Sequence, residues 1–254
     1  MKWGFEARIR RADQLAQNHE PARELLSFYR ELVRLQARIF DDLKRRGETD
    51  VRAIAAYFPE LMDVVERTGP AGLAERGRGR IADRAAGEQL MQLSWEGTVP
   101  EPLAADGIGR FFSRVLIQPY AEYLASRGDV PVQPESRVCP FCGSRPVAGV
   151  LRGEGDGGKR WLLCSVCSTE WPFRRVLCWN CGEEDKDKLP IYSAPDFRAV
   201  RVDACDTCHT YLKSVDLTKD GHAVPMVDEI ATVALDIWAE EHGYGKMQAN
   251  LLGA

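Results

Sequence analysis

Residues 139–143 read Cys-Pro-Phe-Cys-Gly, 164–167 Cys-Ser-Val-Cys, 178–182 Cys-Trp-Asn-Cys-Gly and 205–208 Cys-Asp-Thr-Cys. These four pairs hold all eight cysteines of the chain. Between the inner cysteines of the first two pairs lie 21 residues, and between those of the last two lie 23. Each half therefore reads Cys-x-x-Cys-Gly, a spacer, then Cys-x-x-Cys with an aromatic soon after (Trp171, Tyr211). This is an internal repeat. A Cys-x-x-Cys turn lets two thiolates converge on one ion, and a glycine after it permits positive φ, which turns backbone N–H groups toward sulfur. A spacer of this length predicts a β-hairpin that brings a second knuckle opposite the first. Gly153–Gly158 (GEGDGG) supplies the first hairpin's flexible tip.

The repeat predicts sequential pairing. Cys139, Cys142, Cys164 and Cys167 form one site; Cys178, Cys181, Cys205 and Cys208 form the other. Four thiolates make a closed tetrahedral site suited to zinc or rubredoxin-type iron; soft sulfur excludes magnesium and calcium. Ten residues separate Cys167 from Cys178, so the two sites are expected side by side.

No cysteine precedes Cys139, and the composition changes there. Around residues 21–46, Leu25, Phe28, Leu32, Leu35, Ile39 and Leu43 fall on one helical face, with Pro21 at its start and Gly47 at its end. Similar patterns cover Leu61, Val64 and Val65, the run Gly87–Trp95, and Phe111 to Leu124, where Pro119 should kink the helix. Val227, Ile230, Ala231, Ala234 and Trp238 predict a C-terminal helix. The expected architecture is α+β and multidomain. A bundle-like helical domain spans 1–128 and a linker 129–136. Two tandem rubredoxin-like or zinc-ribbon subdomains span 137–175 and 176–220, and a helix and tail span 221–254.

The formal charge is −4, and eight thiolates holding two divalent ions would take it to about −8. Such a chain gains little from phosphate contacts, so nucleic acid is not the expected partner. The N-terminus has no apolar signal region, and the Arg10-Arg11 pair is followed by no apolar stretch. No run approaches the roughly 18 apolar residues of a membrane helix. A cytoplasmic protein without membrane insertion is expected, and reducing conditions favour metal ligation over disulfides.

Three other motifs fail on context. Cys205–His209 matches haem attachment, but its cysteines are required by the fourth knuckle. Gly153–Lys159 resembles a phosphate loop, but Arg160 stands where Ser or Thr would hold magnesium. The acidic run 183–187 reads as a solvated loop. Four histidines offer little general-base material, and no catalytic constellation emerges; no enzyme activity is expected.

The run from Cys139 to Lys213 resembles the formate dehydrogenase accessory protein family, FdhE-type. The resemblance rests on Cys139-Pro-Phe-Cys142-Gly143-Ser144, then Leu163 through Trp171 (LCSVCSTEW), Arg175, Cys178, Cys181, and Cys205–Cys208 leading into Thr210-Tyr211-Leu212-Lys213. Val227–Ile230 and Ala234–Asp236 resemble the family's final helix. The resemblance implies a non-enzymatic maturation factor that binds the catalytic subunit of respiratory formate dehydrogenase in the cytoplasm. It also implies that the sites hold iron or zinc. The segment bridging the two sites suggests a docking patch of Glu170, Trp171, Arg175 and Trp179, since aromatics and arginine are common interface anchors. A rubredoxin-like electron carrier and a zinc-ribbon nucleic-acid binder are the competing classes; Arg174, Arg175 and Arg201 are the basic residues the latter would use.

Overall fold

The computed structural model describes residues 3–81, 83–97, 107–131, 133–154 and 157–253. The tip of the first hairpin, Gly155-Asp156, lies outside the described residues, as does Val132 of the expected linker.

Six α-helices precede the first cysteine among the described residues: α1 (Phe5–Asn18), α2 (Arg23–Arg46), α3 (Phe58–Thr68), α4 (Leu73–Arg80), α5 (Arg84–Glu96) and α6 (Ile108–Ala125). The central helix α2 buries Leu26, Phe28, Leu32, Leu35, Ile39 and Leu43 and stops at Gly47, whose φ of 66° closes the helix in the left-handed region. Leu25 is half-buried and Leu26 takes its place in the core. Pro119 sits inside α6. The periodicity passed over α1 and α4. Helix α1 buries two arginines, Arg8 and Arg11, beside Phe5, Ala12 and Leu15, so its inward face does not read as apolar.

The metal-binding region folds as β1 (Pro146–Glu154), β2 (Gly157–Cys164), β3 (Glu170–Phe173), β4 (Ile191–Ser193), β5 (Val200–Cys205) and β6 (Thr210–Asp216), with β7 (Gly245–Lys246) near the C-terminus. The strands form one sheet in the order β3-β2-β1-β6-β5-β4, and β7 also pairs with β6. Each repeat contributes a three-stranded antiparallel unit, β1-β2-β3 and β4-β5-β6, whose first two strands form the hairpin between its knuckles, and the two units join through parallel pairing of β1 with β6. Because β2 and β5 each run antiparallel to a member of that parallel pair, they point the same way. Both knuckle sets therefore lie at one end of the sheet.

Gly149 stands opposite Ser214 at the β1–β6 seam. A Cβ there would lie 2.2 Å from Ser214 Oγ and 3.2 Å from its Cβ. Ser214 Oγ is not free to swing away, since it donates to Asp203 Oδ2 at 2.6 Å. Gly149→Val is expected to destabilise the protein by about 1–3 kcal/mol through overpacking, measured by chemical denaturation of the metal-loaded form.

The C-terminal segment differs from the single expected helix. It splits into α7 (Pro225–Ala231) and α8 (Val233–Glu241), with Thr232 outside the helical region at φ −103°, ψ 36°. Thr232 Oγ1 donates to the carbonyls of Asp228 and Glu229, and Lys213 Nζ donates to those of Glu229 and Thr232. These bonds occupy carbonyls that a continuous helix would use. The break rotates the second half, so Ala234 is exposed and Leu235 and Ala239 face inward. Val227 and Ile230 join the helical core, which continues into Val147, Ala148, Val150 and Leu163 of the sheet. The helical region and the sheet thus share one hydrophobic core.

Candidate metal centres

The eight cysteines gather as two groups, Cys139/Cys142/Cys164/Cys167 and Cys178/Cys181/Cys205/Cys208, each with its four sulfurs within 4.8 Å of one another. Cys164 and Cys205 end β2 and β5; the other six lie in the adjoining turns. In the second group Cys178–Cys208 and Cys181–Cys205 are separated by 3.8 and 3.7 Å. In the first, Cys139–Cys167 and Cys142–Cys164 are both 3.4 Å apart. A tetrahedral ion with metal–sulfur bonds of about 2.3 Å needs sulfur–sulfur edges of about 3.8 Å. The second group already has that spacing, and the first reaches it with a small outward movement. The donor set and geometry fit two tetrahedral ions.

Each knuckle is held by its own backbone. Phe141 N and Asn180 N point to the sulfurs of Cys139 and Cys178 at 3.4 Å, and Val166 N points to Cys164 Sγ at the same distance. The residue after the second cysteine of every pair has positive φ: Gly143 (70°), Ser168 (57°), Gly182 (83°) and His209 (52°). The repeat thus extends to backbone conformation, with glycine in the knuckle that opens each half and a polar side chain in the one that closes it. His209 is exposed and outside both ligand sets.

Sequence reasoning named Thr169 and Thr210 only as parts of the family motifs and gave them no role at the sulfurs; their hydroxyls lie 3.1 Å from Cys167 Sγ and 3.0 Å from Cys208 Sγ. The recurring Cys-x-x-Cys-x-Thr was the available signal. A hydroxyl donating to a coordinated thiolate fixes its orientation and tempers its charge. For Cys208, burial raises the thiol pKa, but hydrogen bonds from Thr210, Asn180 and the neighbouring cysteines outweigh it and bring it to about 7. The two centres differ in exposure: at the first, three cysteines are buried and Cys142 is half-buried, whereas Cys181 of the second is exposed.

The four residues of the expected docking patch fall in different environments. Trp171 is 1% exposed and its indole donates to Ser136 O at 2.7 Å, so it packs beneath the first centre. Trp179 is also buried. Glu170 is engaged within the chain, accepting from Arg152 Nη2 at 2.5 Å and from Trp3 Nε1 at 3.1 Å. Arg175 is exposed.

Residues 138–175 match the family model described as FdhE, central domain, and residues 176–252 match FdhE, C-terminal domain. The FdhE homolog of Aquifex aeolicus is 33% identical over 211 residues, covering 82% of this chain and 72% of that protein. This chain belongs to the FdhE family. The FdhE homolog of Pectobacterium atrosepticum is 26% identical over 97% of this chain and 86% of its own length. The crystal structure of the FdhE protein from Pseudomonas aeruginosa matches with a TM-score of 0.72 at 25% identity, covering 100% of this chain and 97% of that one. Two four-cysteine centres on one sheet behind a helical region are therefore the architecture of this FdhE-family member. Among its described residues, no helix is long and apolar enough to cross a membrane.

Proposed function

We propose that this FdhE-family chain is a cytoplasmic maturation and assembly factor for the catalytic subunit of respiratory formate dehydrogenase, and that it performs no catalysis of its own. The observation that carries the reading is the pair of four-cysteine centres built into a rigid sheet of an FdhE-family chain. A closed four-thiolate site leaves no open coordination position for substrate, which suits a scaffold rather than a metalloenzyme. The ions are iron or zinc; the thiolate set accepts both, and metal supply decides between them. Deleting the gene is expected to abolish formate dehydrogenase activity while leaving unrelated molybdoenzymes active. Unchanged formate oxidation in the deletion strain would end this reading.

Within that reading the docking surface centres on the exposed Arg175, with Glu170, Trp171 and Trp179 supporting it from within the fold. Arg175→Ala is expected to keep both metals and the melting temperature but to weaken capture of the catalytic subunit by about 1–3 kcal/mol. Wild-type affinity for the Arg175→Ala variant, measured by pull-down and calorimetry, would move the surface elsewhere.

A rubredoxin-like electron carrier is the second reading, favoured by the exposed Cys181 at the second centre. It requires iron that cycles reversibly: a red protein whose visible absorption bleaches on reduction supports it, and a colourless zinc protein opposes it. Nucleic acid is not the partner in either reading. Arg174 is tied to Glu135 and Glu184, and Arg201 to Asp203, so the basic residues face acidic neighbours.

A further inference from the structure

A cavity of about 150 Å³ opens beside the second metal centre. Arg160 of β2 lines it, with its side chain 4% exposed. Arg160 Nη2 donates to the carbonyls of Arg174 and Leu177 at 2.5 and 2.6 Å, which locks the guanidinium in place. Its Nε is buried with no hydrogen-bond partner. The carboxylate facing Arg160, Asp203, stands 3.6 Å from Nη1, too far for a close ion pair, and is shared with Arg201 at 2.8 Å and with the Ser214 hydroxyl. Arg175 and Lys186 add two more cationic side chains to the lining. Four cations thus meet one carboxylate and the Cys178 and Cys205 thiolates, whose charge a metal ion partly cancels.

A buried donor without an acceptor costs free energy, and a guanidinium satisfies several donors at once when a carboxylate approaches in its plane. The rim has a different character. Val176 is 49% exposed and Ile191 54% exposed, two of the four large apolar side chains that stand most in solvent among the described residues. Both line the cavity. A free anion has no use for an apolar rim; an acidic side chain carried on a polypeptide between apolar neighbours uses both parts.

We propose that this cavity is a carboxylate-binding pocket that takes an acidic side chain of a partner polypeptide, with Arg160 and Arg201 holding the carboxylate and Val176 and Ile191 holding its apolar flanks. The proposal deepens the docking reading at Arg175, on which it rests for the partner's identity but not for the pocket's chemistry.

The metal-loaded protein is titrated with acetyl-Val-Glu-Val-amide, acetyl-Val-Gln-Val-amide and sodium acetate, and followed by calorimetry and by the arginine Nε–Hε signals in NMR. The Glu peptide is expected to bind at least tenfold more tightly than the Gln peptide and to shift the Arg160 Nε–Hε signal. Arg201→Gln is expected to lower that affinity several-fold with metal content unchanged and the fold retained; Arg160→Gln is avoided as the decisive variant because Arg160 also braces the chain at Arg174 and Leu177. Equal binding of the two peptides, or an unmoved Arg160 signal, overturns the pocket. Acetate binding as tightly as the Glu peptide assigns the site to free carboxylates and overturns the polypeptide. Failure of the docking reading has its own signature: Glu-peptide binding stays intact while Arg175→Ala and Arg201→Gln both capture the catalytic subunit at wild-type strength.

Discussion

Replacing Cys178 by serine is expected to remove one metal ion per chain and to unfold the β4–β5 hairpin with it. The sheet there is shallow. Strand β4 has three residues, and much of the loop between Cys181 and β4 is exposed. A shared ion would hold Cys178–Cys181 against Cys205–Cys208, whose sulfurs lie within 4.8 Å of one another. Structural zinc in such sites contributes about 10–16 kcal/mol of apparent binding free energy, which is also folding free energy. Loss of one of four thiolates is therefore expected to have a large effect on this part of the fold. Elemental analysis should fall from two ions per chain to one. Loss of amide protection should be confined to residues around β4, β5 and the knuckles, while α2 and α6 stay protected. A variant that still carries two ions would overturn the assignment of Cys178. The same change at Cys139 should spread further, because Cys139 and Cys164 sit in one apolar cluster with Trp171 and with Ala121 of α6.

The second large effect is expected at Lys213, in the Thr-Tyr-Leu-Lys motif. Its side chain is fully buried, and Nζ lies 2.5 Å from Asp236 Oδ2 and 3.1 Å from Glu229 Oε1. Lys246 pairs with the same two carboxylates, Tyr211 OH donates to Asp236, and Asn250 Nδ2 donates to Glu229. The motif is thus the socket into which α7, α8 and the tail plug. Burial pushes the Lys213 ammonium pKa below its ordinary value, whereas Glu229 is held below the usual carboxylate range because Lys213 and Lys246 outweigh its burial. Lys213→Met leaves two buried carboxylates with one cation and is expected to cost about 3–5 kcal/mol in chemical denaturation. Replacing Lys213, Glu229 and Asp236 together by apolar residues should recover much of that loss, since burying an ion pair earns little net stability over good packing. The pH dependence has a definite sign. The Glu229 carboxyl pKa is depressed in the folded state, so its contribution is full above about pH 4.3, its unfolded value, and is lost as pH falls through the folded one. A Lys213→Met protein as stable as wild type would show that Lys246 alone satisfies the cluster.

The docking patch marks where sequence reasoning ran out. A tryptophan beside a cysteine knuckle reads the same whether it faces in or out. Trp171 and Trp179 proved to be buried, and Glu170 proved to be engaged by Arg152 and Trp3, residues 18 and 167 positions away. Arg160 was read only as the residue that disqualifies a phosphate loop, yet it braces the cavity beside the second centre. Helix α1 is the plainest case. Arg8 meets Glu122 at 2.8 Å with both side chains buried, and Arg11 grips Asp228 and Asp220. The arginines near its start form an electrostatic seam that joins α1 to α6 and α7.

The two four-cysteine groups, their sequential pairing and the hairpins between them were determined by the sequence, because a knuckle is local: two cysteines, one turn and one residue of positive φ suffice to aim the sulfurs. The face of α2 and its stop at Gly47 were local in the same sense. The tertiary structure alone decided that the two repeats merge into one sheet through Gly149 and Ser214, and that the C-terminal helix breaks at Thr232. It also decided which charged residues are buried. Each of those outcomes depends on partners brought together from distant parts of the chain. An arginine or lysine reads as surface until the carboxylate that lets it be buried is in place.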